Sequence, residues 1–206
     1  MISTERAIRQ LRALEKFEVR SGMRLAAESL DAEWKTLIGT IMSAQSRDET
    51  TIIIASALFE KYNRVEKIAN AKYKDVLKIF QSLNYNKTKA RNVINCAAEI
   101  VDKYGGKVPH DFSKLIELPG VGRKTANVFL SEYGKDGLAV DTHVFQIARK
   151  LGLSNAKTRD KVEEDLKKLF PRRMWRRVNP ALVRFGKTHT SRKDRGKILE
   201  EIKKIK

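Results

Sequence analysis

The segment Leu118-Pro119-Gly120-Val121-Gly122-Arg123-Lys124 constrains the fold more than any other stretch of the chain. Pro119 fixes its own φ and offers no backbone donor. Gly120 and Gly122 allow backbone conformations closed to other residues and let a second backbone come close. From Gly122 the sequence reads GRKTANVFLSEYG, with Ala126, Phe129 and Leu130 on one helical face and Gly134 as a stop signal. The stretch before it also has a helical pattern, which Asp111 or Ser113 would cap. The segment is therefore expected to fold as helix, glycine turn, helix. Free amides at the start of the second helix, backed by its dipole, suit one phosphate. An ordinary interhelical turn has the same composition. A nucleotide-binding phosphate loop is excluded, because its spacing and its preceding strand are both missing.

The rest of the chain reads as helix too. Apolar spacing places helices near 4–17, 34–46, 49–61, 72–81, 87–103, 111–117, 123–132, 142–151, 158–169, 174–187 and 192–204. No sustained strand alternation, internal repeat or low-complexity linker interrupts them. A length of 206 residues allows one compact unit or two small lobes, and 41% hydrophobic residues are enough for a core. The formal charge of +18, from 43 Lys+Arg against 25 Asp+Glu, favours a polyanionic partner, with nucleic acid first. The charged surface of a thermophile is usually mixed in sign. An anionic membrane fits less well, since neither a long apolar span nor a basic amphipathic anchor stands out. The single cysteine, Cys96, lies in the apolar helical context VINCAAEI and is expected to be a buried thiol with no internal disulfide. The N-terminal MISTERAIRQ carries acid and lacks an apolar run, so it is no signal peptide, and a soluble cytoplasmic protein is expected.

LPGVGRKTANVFL, followed by VDTHVFQIARKLGL, resembles the helix-hairpin-helix and catalytic segment of the endonuclease III family of DNA glycosylases. A second block, Ile41-Met42-Ser43-Ala44-Gln45-Ser46-Arg47-Asp48, resembles that family's LSAQxxD helix end. A third, Leu83-Asn84-Tyr85-Asn86-Lys87-Thr88-Lys89-Ala90, resembles its GLYxxKA turn. The blocks occur in the family's order and spacing and cover residues from about 30 to 155. The resemblance implies an all-α fold of two helical lobes with a DNA-binding cleft between them. One would be a six-helix domain over 25–135; the other, discontinuous, would join 1–24 to 136–206 and carry the catalytic aspartate. It further implies damaged double-stranded DNA as partner, a monomer, and association with the nucleoid.

Motif by motif, the resemblance also implies roles for residues. Lys124 falls on the family's catalytic lysine. Its amine would attack the sugar C1′ and form a Schiff base, for which it must first lose its proton. The positive end of a helix dipole and the neighbouring Arg123 oppose the ammonium, whereas an ionised Asp141 would favour it, so the balance stays open. Most lysines at such a position are simply exposed. Asp141 falls on the catalytic aspartate, which would stabilise oxocarbenium character as the base departs and help move the lysine proton. Read alone, Asp141 is an N-cap of the next helix. Gln45 and Asp48, placed at the end of a helix, would meet the gap left by an extruded base and the lesion pocket, because the glycosidic carbon is inaccessible inside a duplex. Tyr85 would be the wedge into the opposite strand, where the family often has leucine. The amides of Gly120, Gly122 and Lys124 would face a phosphate, with Arg123 beside them. Lys187, Arg192 and Lys193 would contact the DNA backbone or form a solvated surface. A monovalent cation, sodium or potassium, would sit on the carbonyls of Ile116, Leu118 and Val121. His143 and His189 form no metal-ligand spacing and read as structural or surface residues.

The chain departs from the family at its C-terminus. Most members end in four cysteines that bind a [4Fe–4S] cluster. Here Thr190 stands about where the first would fall, and no cysteine follows, so no iron–sulfur cluster is expected. The Lys- and Arg-rich C-terminal helix would take over its structural and DNA-contacting roles. Removal of oxidised pyrimidines with strand cleavage is the leading expectation. A mismatch or uracil glycosylase is the alternative, followed by a purine-specific member. A non-catalytic helix-hairpin-helix DNA-binding module would need the hairpin and the charge but neither Lys124 nor Asp141.

Overall fold

The computed structural model describes residues 2–21 and 30–206, with the side chains of all of these except 18–21 and 192. Among the described residues there are twelve α-helices, one 3-10 turn and no strand. The helices are α1 (Thr4–Ser21), α2 (Glu33–Ser43), α3 (Asp48–Lys61), α4 (Val65–Ala69), α5 (Tyr73–Ile79), α6 (Asn86–Tyr104) and α7 (Phe112–Glu117). They continue with α8 (Arg123–Glu132), α9 (Thr142–Leu151), α10 (Arg159–Leu169), α11 (Trp175–Thr188) and α12 (Arg192–Lys203), the 3-10 turn being Arg172–Met174. No described helix is long and apolar enough to cross a membrane.

The expected all-α architecture is what the chain adopts, with instructive differences in detail. Helix α2 stops at Ser43, not at 46, and Ala44 turns extended before Gln45 enters the left-handed region at φ 55°. Helix α4 was not expected. Five residues are too few to show a 3.6-residue period, and only Val65 and Ile68 of its face are buried. Helix α1 runs on to Ser21, past its expected end at 17.

The chain divides into two units, Arg24–Lys135 and Met1–Met23 with Asp136–Lys206. The expected boundary at 24/25 lies outside the described residues. The Arg24–Lys135 unit holds seven described helices, α4 being the one beyond the expected six. Its spine is α6, whose buried stripe of Lys89, Ala90, Val93, Cys96, Ala97 and Ile100 supports α2, α4 and α5. Helix α2 is buried on nearly every side and packs on α3 and α8 as well. From α8, the fully buried Phe129 meets His110 and Tyr133 at ring separations of 5.6 and 4.9 Å. The Tyr133 hydroxyl shares a 2.8 Å hydrogen bond with Thr36 of α2. The hairpin thus grows out of a packed core.

In the other unit α11 packs on α1 and α9, and α9 also meets α10 and α12. Pro180 lies inside α11. An interior proline costs about 3 kcal/mol. Burying Leu182 and Phe185 completely returns about 1.5–3 kcal/mol for each, so the helix persists. Arg177 forks onto Glu15 of α1 through two bonds of 2.8 and 2.7 Å. The contact of α11 with α9 depends on Gly186. A Cβ there would lie 2.4 Å from Nδ1 and 2.8 Å from Cγ of His143. Gly186→Ala is expected to lower stability by about 1–3 kcal/mol, as overpacking does. Denaturant titration measures this; an unchanged midpoint would show that His143 swings aside without cost.

Candidate functional site

The expected helix-turn-helix is built from α7, a turn and α8. Asp111 caps α7, its Oδ1 accepting from the Lys114 amide at 3.0 Å and also from the Ser113 hydroxyl. Leu118 is extended before Pro119, and the Val121 amide donates to the Leu118 carbonyl at 3.0 Å. Leu118 and Val121 are both buried and tie the turn to the core. Gly120 has φ 81°, a left-handed value that suits glycine. A Cβ at Gly120 would also stand 2.9 Å from Cβ of Asn92 and 3.1 Å from Cγ2 of Ile41. Gly122 differs. Its φ of −89° is open to any residue, and a Cβ there would meet nothing within 4 Å. Its missing side chain leaves room at the start of α8 and relieves no strain.

Lys124 is the second residue of α8 and is exposed. The amides of this first turn have no partner within the helix. Arg123, also exposed, places its guanidinium 5.3 Å from the centre of the Phe112 ring. Asp141 caps α9: its Oδ1 accepts from the Val144 amide at 2.8 Å, which leaves Oδ2 outside that bond. The carboxylate is half-buried. The bland role anticipated for Asp141 is thus real.

Gln45 and Asp48 do not end a helix. Gln45 lies in the turn after α2, exposed, and Asp48 is the first residue of α3, where a carboxylate suits the dipole. Tyr85 is 66% exposed and also left-handed, at φ 58° just before α6. These two are the only positive-φ residues other than glycine among the described residues. Each left-handed residue costs about 1–2 kcal/mol. Local hydrogen bonds, at about 0.5–1.5 kcal/mol apiece, offset that. Asn84 Nδ2 donates to the Gln45 carbonyl at 2.6 Å, so one turn holds the other. From beneath, Lys89 Nζ donates to the Met42 carbonyl and to Ser46 Oγ, both at 2.7 Å.

These features match known proteins. The model of the HhH-GPD superfamily of base excision DNA repair proteins matches residues 38–172. Endonuclease III of Thermotoga maritima is 39% identical over 155 residues, 75% of this chain and 73% of that protein. The chain belongs to the endonuclease III family. Endonuclease III of Synechocystis is 35% identical over 153 residues, 73% of this chain and 70% of that protein. A solved structure of a trapped covalent endonuclease III–DNA intermediate, with an estranged adenine, superposes with a TM-score of 0.83 at 30% identity. It covers 93% of this chain and 89% of that one. As a member of the endonuclease III family the chain is an enzyme of base excision DNA repair, a DNA glycosylase.

The remaining family positions are more scattered. Lys187 lies in the last turn of α11, half-buried, and Lys193 is exposed on α12. The Arg192 side chain lies outside the described residues. His189 stacks on Phe185 at 4.5 Å and its Nδ1 shares a 3.1 Å bond with the Phe185 carbonyl; with His143 against Gly186, both histidines are structural. Cys96 is fully buried, and burial pushes its thiol up to about 12. One buried thiol of that kind does not fit an iron–sulfur cluster. The hairpin carbonyls do fit a hard monovalent cation: Ile116 is in the last turn of α7, where carbonyls lack helical partners, and Leu118 keeps a second lone pair. An open pocket of about 620 Å³ between α9 and α12, lined by Gln146, Lys150, Arg195 and Leu199 among others, includes none of the expected site residues.

Asn92 was missed, and Lys89 and Asn84, although part of the third block, were given no role of their own. Lys89 left a signal: it precedes Val93, Cys96 and Ile100 on one apolar helical stripe, where a lysine must have a partner. Burial pushes its ammonium from 10.5 down to about 8. The unfolded chain therefore holds this proton more tightly, and the folded state gains stability as pH rises from about 8 towards 10.5. Relative to a Lys89→Met variant, the natural chain is expected to gain up to about 1.4 kcal/mol per pH unit across that interval. Paired denaturation curves at several pH values test this, and a pH-independent difference would contradict it.

Proposed function

We propose that the chain is a bifunctional DNA glycosylase/AP lyase that removes oxidised pyrimidines, such as thymine glycol, from double-stranded DNA and then cleaves the strand. The observation that carries this reading is the exposed Lys124 amine in the first turn of α8, directly after the Gly120 turn. A monofunctional enzyme or a DNA-binding module does not require an amine at that point. The net charge of +18 and the relative trapped covalently on DNA support the same reading.

Lys124 Nζ attacks C1′ of the damaged nucleotide as the bond from C1′ to the base breaks. Asp141 offers carboxylate charge to the developing oxocarbenium ion through Oδ2 while Oδ1 stays on the Val144 amide. Opening of the sugar ring gives a Schiff base. Loss of a C2′ proton then expels the 3′ phosphate by β-elimination. Damaged duplex is held through its backbone by the amides of Gly120, Gly122 and Lys124, with Arg123, Lys187, Arg192 and Lys193 adding positive charge. Gln45 fills the space vacated by the extruded base, Tyr85 wedges into the opposite strand, and Asp48 lines the lesion pocket. The carbonyls of Ile116, Leu118 and Val121 hold sodium or potassium, which stiffens the turn. No iron–sulfur cluster takes part, and the protein works as a monomer.

Borohydride trapping on a thymine glycol duplex is expected to give a covalent adduct with the natural chain and none with Lys124→Ala. Alkali-labile abasic sites without an adduct would mean a monofunctional glycosylase. Neither product would direct the search to uracil, mismatched and purine lesions. Affinity for DNA is expected to fall steeply and linearly on a log–log plot against salt, since phosphates dominate binding. A flat response would remove nucleic acid as the partner.

A further inference from the structure

The turn after α2 and the turn before α6 are joined by a side chain whose purpose the chemistry above leaves unused. Asn84 is exposed, yet its Nδ2 donates to the Gln45 carbonyl at 2.6 Å. In the GLYxxKA pattern glycine fills this position, and glycine has no side-chain amide to donate. The residues it joins, Gln45 at φ 55° and Tyr85 at φ 58°, are the two strained non-glycine residues described. Strain of this kind persists only where the surroundings hold it. Here they do so from both sides. Lys89 Nζ grips the Met42 carbonyl and Ser46 Oγ below the turn, and Asn84 closes it above. Next to Tyr85, Asn86 Nδ2 donates to the Gln81 carbonyl at 3.2 Å, which ties the start of α6 to the turn that follows α5.

We propose that Asn84 is a positioning residue that fixes the Gln45 turn against the Tyr85 turn, so that both side chains meet DNA as one preorganised unit. The inference rests on the roles assigned to Gln45 and Tyr85 above. Asn84 touches no reacting atom. Its contribution is to hold Gln45 ready to occupy the gap as the damaged base leaves the stack. Without the bond, the turn must be ordered during extrusion, and base release slows only where extrusion is demanding. A lesion already unstacked leaves the stack at less cost.

The test compares the natural chain, Asn84→Ala, Gln45→Ala and the double variant. Single-turnover base release is measured on a fully paired thymine glycol duplex and on the same duplex lacking the opposite nucleotide. Asn84→Ala is expected to be about fivefold slower on the paired duplex, the loss that one hydrogen bond supports, and to match the natural chain on the gapped one. In the Gln45→Ala background the second substitution is expected to add nothing. Equal slowing on both substrates, or a full additive effect in that background, would reduce Asn84 to a structural residue. If Gln45→Ala is slow and Asn84→Ala is not, positioning fails while the reading of Gln45 stands. If Gln45→Ala itself is unimpaired on paired duplex, that reading fails and takes the inference with it.

Discussion

The close seat of Gly120 on Asn92 and Ile41 is the contact from which the hairpin takes its place. With 2.9 Å between a notional Cβ and Asn92, any side chain would push the turn away from α6 and α2. The buried Leu118 and Val121 on either side hold the approach from the apolar direction. The start of α8 follows from that seat, and so does the position of Lys124. A reactive amine on a long flexible side chain needs a backbone that does not move. Here the backbone is fixed by packing at Gly120, three residues before the helix begins, so the lysine itself remains exposed.

Helix α6 does the equivalent work for the Gln45 and Tyr85 turns. Its buried stripe starts with a lysine, and that lysine reaches the buried Met42 carbonyl at the end of α2. A cation at a helix C-terminus satisfies carbonyls that have no partner and complements the dipole. Burial pushes the ammonium down to about 8, so the two hydrogen bonds and the dipole do not fully offset its desolvation. The same helix therefore meets the end of α2 and supports the left-handed Gln45. It also begins at Tyr85, so one element sets the spacing of the two turns.

Much of this was legible in the sequence because it is periodic or carried by glycine and proline. The all-α class follows from apolar spacing, and the α7–α8 turn follows from LPGVG. Asp111 and Asp141 are capping residues by type and place, and both cap. The parts that were not legible have short range in sequence or long range in space. Five residues of α4 cannot display a period. The end of α2 at Ser43 is met by Lys89, distant in sequence, and nothing local in IMSAQSRD marks it. Gln45 was accordingly read as part of a helix when it lies in a turn. The two glycines of the hairpin look equivalent as letters, yet only Gly120 needs to be glycine for its conformation and its neighbours.

The chemical role proposed for Asp141 need not compete with its structural one. An N-cap carboxylate is held in place by an amide of its own helix, here Val144 through Oδ1. A carboxylate meant to meet a developing positive charge needs a fixed position. The second oxygen can then face the sugar without the helix start being undone. On this view capping is the means by which α9 presents the charge. Replacing Asp141 by asparagine would keep much of the cap and lose the charge, so the two contributions separate cleanly at this one residue.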